Sequence, residues 1–153
     1  MVNALADTIA NDSACTLREA ILAANNIPVN ANCGAESASN DTITFSVSGT
    51  ITLGAPLPAI VAGQGTLTIA GGGNITISGN NAVQVMIVDS GADLTLHNLT
   101  IANGKIASGN GGGVANSGSL TVNSVTFSNN SASIGGGIIN NGILTISNST
   151  FGE

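Results

Sequence analysis

A triplet of apolar residue, Thr, apolar residue recurs twice per cycle along most of this chain, and the cycle stays close to 24 residues. The first copy reads Ile43-Thr44-Phe45, Leu67-Thr68-Ile69, Leu94-Thr95-Leu96, Leu120-Thr121-Val122 and Leu144-Thr145-Ile146. The second reads Ile51-Thr52-Leu53, Ile75-Thr76-Ile77, Leu99-Thr100-Ile101, Val125-Thr126-Phe127 and Ser149-Thr150-Phe151. Period-two alternation of β-branched and aliphatic residues belongs to strands, with the apolar pair on one face and the Thr on the other. A third strand is expected at Met86-Ile87-Val88, Gly112-Gly113-Val114 and Gly136-Gly137-Ile138, each ending six residues before the next opening Leu. Three short strands per turn, repeated in tandem, describe an all-β parallel β-helix of about 4.5 coils of roughly 24 residues. Its rungs lie about 4.8 Å apart, with Val88, Val114 and Ile138 facing the bore. Ala70-Gly71-Gly72-Gly73 lengthens one corner by three residues, and Lys105 to Asn110 lengthens another by two.

Composition agrees with a solenoid. Aromatic residues make up 2% and charged residues 7% of the 153, while 42% are hydrophobic and mean hydropathy is +0.39. A disordered chain combines low hydrophobicity with charge, so this one folds, and its solubility rests on Asn, Ser and Thr. The formal charge is −6, and Arg18 and Lys105 are the two cations available to meet phosphate. That balance excludes nucleic acid and anionic membrane surfaces as partners. No stretch approaches the ~20 apolar residues of a membrane span, and residues 1–12 lack the basic start and apolar centre of a signal peptide.

Residues 1–41 break the repeat and read as an N-terminal cap, leaving 42–153 for coils that are open at the C-terminal end. Thr16-Leu17-Arg18-Glu19 is a capping box. Leu17, Ala20, Ile21 and Ala24 follow at helical spacing, predicting a short amphipathic helix over 16–25. Such a piece hides the strand edges and apolar ring that a first coil would otherwise expose. Pro28 and the run to Asn40 lead out of it. Cys15 and Cys33 flank the helix; they form either a disulfide, which for such a loop adds about 3 kcal/mol and implies export, or a pair of buried free thiols. Their spacing fits no zinc pattern.

Cys15-Thr16-Leu17-Arg18-Glu19-Ala20-Ile21, followed by Ala23-Ala24-Asn25, resembles the N-terminal segment of bacterial surface and secreted β-helix proteins that open with Cys-Ser/Thr-Leu-Arg-Glu-Ala. Gly135-Gly136-Gly137-Ile138 and Phe127-Ser128-Asn129-Asn130 resemble the repeats of chlamydial-type polymorphic outer-membrane proteins, which are autotransported adhesins. The resemblance implies a right-handed coil, a bacterial exported protein located outside the cell or on its surface, and a structural or adhesive role.

Residues with catalytic chemistry are sparse. The acids are Asp7, Asp12, Glu19, Glu36, Asp41, Asp89, Asp93 and Glu153, of which Asp89 and Asp93 alone are expected to approach each other, around a Ser-Gly corner. Positions equivalent to Asp93 hold Thr66 and Ser119, so no acid ladder forms for a lyase or a two-carboxylate glycosidase, and calcium would want six to eight oxygens. His97 is expected outward and without a catalytic partner. Neither Gly63-Gln64-Gly65 nor Gly71-Gly72-Gly73 opens a helix, so neither is a phosphate cradle. Six Asn-Xaa-Ser/Thr sequons, at Asn11, Asn40, Asn74, Asn98, Asn129 and Asn148, reflect composition. No catalytic residue, metal or cofactor is expected.

Two surface features remain. Thr44, Thr68, Thr95, Thr121 and Thr145 should form one outward column, and Thr52, Thr76, Thr100, Thr126 and Thr150 another. Such ranks either solubilise the sheets or meet ice or a carbohydrate. At the far end Leu144, Ile146 and Phe151 should be exposed for stacking, on further coils of a longer protein or on another copy of the chain. The expected function is a non-enzymatic, exported structural or adhesive domain, with a Thr-ladder binder as the alternative and a polysaccharide lyase or hydrolase as the more distant one.

Overall fold

The computed structural model describes residues 1–27, 29–34 and 39–152. One helix, α1 (Leu17–Ala24), precedes a 3₁₀ turn at Ala31–Cys33 and thirteen short strands. The strands are β1 (Asp41–Ile43), β2 (Gly49–Thr52), β3 (Thr66–Ala70), β4 (Ile75–Ser78), β5 (Met86–Val88), β6 (Asp93–His97), β7 (Thr100–Ala102), β8 (Val114–Asn116), β9 (Ser119–Asn123), β10 (Thr126–Ser128), β11 (Ile138–Asn140), β12 (Ile143–Ser147) and β13 (Thr150–Gly152). They stack into three sheets, ordered β1-β3-β6-β9-β12, β2-β4-β7-β10-β13 and β5-β8-β11. Every pairing between them is parallel, giving a β-solenoid of about four turns.

Register differs from the sequence reading at the first coil and in the third sheet. Ile43 pairs with Ile69 and Thr42 with Thr68, so Thr42 takes the place expected for Thr44, which lies just beyond β1. Thr50 pairs with Thr76 and Thr52 with Ser78, so Thr50 likewise replaces Thr52. Both first steps are therefore 26 residues rather than 24. Two-residue slips preserve which face a side chain occupies, so the alternating pattern alone does not resolve them. In the third sheet Met86, Val114 and Ile138 form one column, while Val88 stands over Asn116 and Asn140. Gly112-Gly113 and Gly136-Gly137 precede their strands instead of opening them. The long corners are where expected: eight residues separate Thr68 from Thr76, against five between Thr95 and Thr100.

The bore is filled by in-register aliphatic columns, among them Leu67-Leu94-Leu120 and Ile51-Ile77-Ile101-Phe127, all buried. Where Phe enters, space comes from glycine. A Cβ on Gly113 would lie 3.3 Å from both Ile101 and the Phe127 ring, and one on Gly137 would lie 3.0 Å from Phe151. The Phe127 and Phe151 rings stack with centroids 4.7 Å apart. A polar side chain also enters this interior: Asn116, fully buried, donates to Asn140 Oδ1 at 2.6 Å and to the Ile143 carbonyl at 2.9 Å, and accepts from the Gly118 N–H at 3.1 Å. Satisfying those bonds is what permits an amide there.

Asparagine also makes the corners. Among the described residues, seven of the eight non-glycine residues with positive φ are Asn, including Asn98 (54°) and Asn148 (49°), with Ser124 (57°) at the equivalent position between them. Asn tolerates the left-handed region better than other side chains, so the Asn-rich composition is a geometric requirement of sharp turns between sheets.

Candidate functional site

Corrected for register, both Thr columns remain unbroken, because the first coil carries Thr at both alternative positions. Thr42, Thr68, Thr95, Thr121 and Thr145 run down the first sheet. Thr50, Thr76, Thr100, Thr126 and Thr150 run down the second. All ten are half-buried or exposed. The columns differ in their surroundings: outward positions beside the first hold Asp93, His97 and Ile143, whereas those beside the second are small and uncharged.

The cap is held by the expected capping box together with buried hydrogen bonds and an ion pair that sequence patterning does not reveal. Thr16 caps α1, and the reciprocal box with Glu19 is complete. Glu19 is 1% exposed; its Oε1 accepts from the Ala10 N–H at 2.7 Å and its Oε2 from the Thr16 N–H at 2.9 Å. Burial pushes its carboxyl pKa up, but those two N–H groups, with the Asn30 and Thr16 side chains, outweigh it and hold the group below the ordinary carboxylate value. Arg18 forms a bidentate pair with Asp7, at 2.8 and 3.0 Å, and donates to the carbonyls of Ala55 (2.7 Å) and Pro56 (2.8 Å). Asp7 also accepts from the Gly54 N–H at 2.8 Å. Asn25 bonds Ala59 and Val61 across the opposite side. Leu17 and Ile21 are fully buried against the first coil, and Cys15 and Cys33 form a disulfide with Cα atoms 5.1 Å apart. Arg18 is thus committed to the cap, and Asp7, eleven residues away, carries no local signal that would have paired it.

Asp41 occupies an inward position, paired with Leu67 at the foot of the Leu67-Leu94-Leu120 column. Burial pushes its carboxyl pKa up. It borders a small cavity of about 50 Å³ shared with Met1, Ala20, Ala23 and Ala24.

Asp89 is exposed and Asp93 half-buried. Asp93 borders an open groove of about 340 Å³ whose other lining residues are Ser117, Ser119, Ile143 and the glycines and alanine of three stacked corners. The groove brings no second carboxylate to Asp93. His97 is exposed, in register with Ala70 and Asn123. Among the described residues no group of three or more His, Cys, Asp or Glu is placed to hold a metal ion, and no helix is long and apolar enough to cross a membrane. Glu36, Glu153 and Pro28 lie outside the described residues. At the last rung Ile146 is 45% and Phe151 47% exposed, with Ile143 more so and Leu144 half-buried.

The disulfide indicates a non-reducing environment. No family model matches the chain, and neither does any curated protein or solved structure.

Proposed function

We propose that this chain is an exported structural and adhesive domain: a right-handed β-helix that presents long, sparsely charged sides from a bacterial cell surface or secreted protein. The observation that carries the reading is the sealed N-terminal cap, where a disulfide and the Thr16–Glu19 box close a solenoid whose flanks offer hydroxyls and amides instead of a pocket with converging acids. The likeness of the cap segment and of the Gly-Gly-apolar-Ile and Phe-x-x-Asn repeats to surface β-helix adhesins points the same way. Contacts spread over such sides are individually weak and gain strength through repetition.

The test is adhesion of the purified domain, displayed in many copies on beads, to host cells and to a glycan array, with light scattering across a concentration series run in parallel. Retention on a defined set of surfaces or glycans supports the proposal. Turnover of polyuronate into unsaturated sugars, or indifference to every surface, removes it.

A further inference from the structure

We propose that the outward face of the second sheet, β2-β4-β7-β10-β13, is an ice-binding surface. This goes beyond the adhesive reading and does not depend on it. Strand pairing places Thr50, Thr76, Thr100, Thr126 and Thr150 in one rank without interruption. Two residues further along each strand the positions are Thr52, Ser78, Ala102, Ser128 and Gly152, in which no side chain is larger than Thr; Ser78 and Ala102 are buried there, so the Thr rank alone forms the outer surface at the middle of the sheet. No strand of this sheet carries a charged residue. The chain concentrates charge elsewhere: across 42–152 the Asp, Glu, Lys and Arg residues are Asp89, Asp93 and Lys105, and none lies on this sheet.

The chemistry of that face selects its ligand. Parallel rungs set the Thr rank at about 4.8 Å intervals, so five hydroxyls and five methyls repeat over roughly 19 Å. That interval is close to the repeat of water oxygens in the ice lattice. Methyl groups restrict the orientation of first-shell water, and the hydroxyls anchor that water by hydrogen bonds. A charged group would instead orient its hydration shell radially and break the lattice match, and the first sheet carries such a group, Asp93. A sugar-binding face would be expected to offer aromatic stacking, whereas the two rings of this sheet, Phe127 and Phe151, belong to the inward column in register with Ile101.

The experiment measures thermal hysteresis and inhibition of ice recrystallisation by the full chain. Wild type should slow crystal growth and facet the crystals. Thr100→Tyr, at the middle of the rank, should lose both effects, and Thr121→Tyr on the first sheet should keep them, with circular dichroism unchanged in each. Thr100→Ser, which keeps the hydroxyl and removes the methyl, should weaken both and covers the case in which the tyrosine variant fails to fold. Inactive wild-type protein, equal loss in Thr121→Tyr, full activity in Thr100→Ser, or sedimentation with cellulose in place of activity on ice would each overturn the assignment.

Discussion

Replacing Glu19 by Gln tests the claim that a buried carboxylate, rather than helix propensity, fastens the cap. Both carboxylate oxygens accept a backbone N–H, one from Ala10 at 2.7 Å and one from Thr16 at 2.9 Å. Gln has one oxygen and one NH₂, so in either orientation a buried N–H faces another donor. An unsatisfied buried group costs about 1–3 kcal/mol, and losing a negative charge in the first turn of a helix costs about 0.3–1 kcal/mol more. A total of roughly 2–3 kcal/mol corresponds, for a chain of this size, to a fall in Tm of about 5–10 °C. The pH dependence sharpens the test. Because the folded pKa of Glu19 is lowered, its contribution is complete above the unfolded value and is lost as pH falls through the folded one. Protonated Glu then resembles Gln in having one acceptor and one donor end. The gap between wild type and variant, followed by urea unfolding with circular dichroism, should be widest at neutral pH and close as pH falls below the ordinary 4.5 of a glutamate carboxyl. A gap independent of pH, or a variant as stable as wild type at pH 7, refutes the reasoning.

Asp41 behaves with the opposite sign: its folded pKa is raised, so the stability it contributes is present below the unfolded value and lost as pH rises through the folded one. Asp41→Leu, which continues the inward Leu column, should therefore stabilise the protein by about 1 kcal/mol at pH 7 and by less in acid, as read from urea midpoints. Arg18→Met leaves Asp7 buried without its partner and should cost about 3–5 kcal/mol; the Asp7→Asn, Arg18→Met double variant should recover part of that loss in a double-mutant cycle. Gly113→Ala drives a Cβ into the Gly137 carbonyl and towards the Phe127 ring. It should lower Tm more than Gly72→Ala, which has open space although its φ is +65°, and differential scanning calorimetry of the pair checks the order.

Features legible in the sequence are those whose cause is local. The capping box spans four residues, and α1 begins and ends within a residue of the periodicity's limits. The strand triplets announce themselves through alternation, and the corner at Gly71–Gly73 through its glycines. Register is a different kind of information. Thr42-Ile43-Thr44-Phe45 and Thr50-Ile51-Thr52-Leu53 alternate over four residues, so shifts of two are equivalent in face and are decided only by which corner absorbs the extra length. In the sequence Gly112-Gly113 reads as strand because an apolar residue follows it, yet its place is set by the approach of the next coil's carbonyls and the Phe127 ring. The Asp7–Arg18 pair and the inward Asn116 have no pattern at all: each exists because the fold brings distant residues into contact and satisfies every polar atom.

The variable corners carry a consequence for how such a chain can change. Coils of 24, 26 and 27 residues sit in the same three sheets, and each difference is taken up outside the paired strands. Extra residues at a turn therefore leave the rungs untouched, and doubling a flexible loop adds only about 0.6 kcal/mol of closure entropy. The shaft behaves like a spindle of fixed gauge whose pegs can be lengthened one at a time, so foreign peptides grafted between Lys105 and Asn110 would be displayed without retuning the interior.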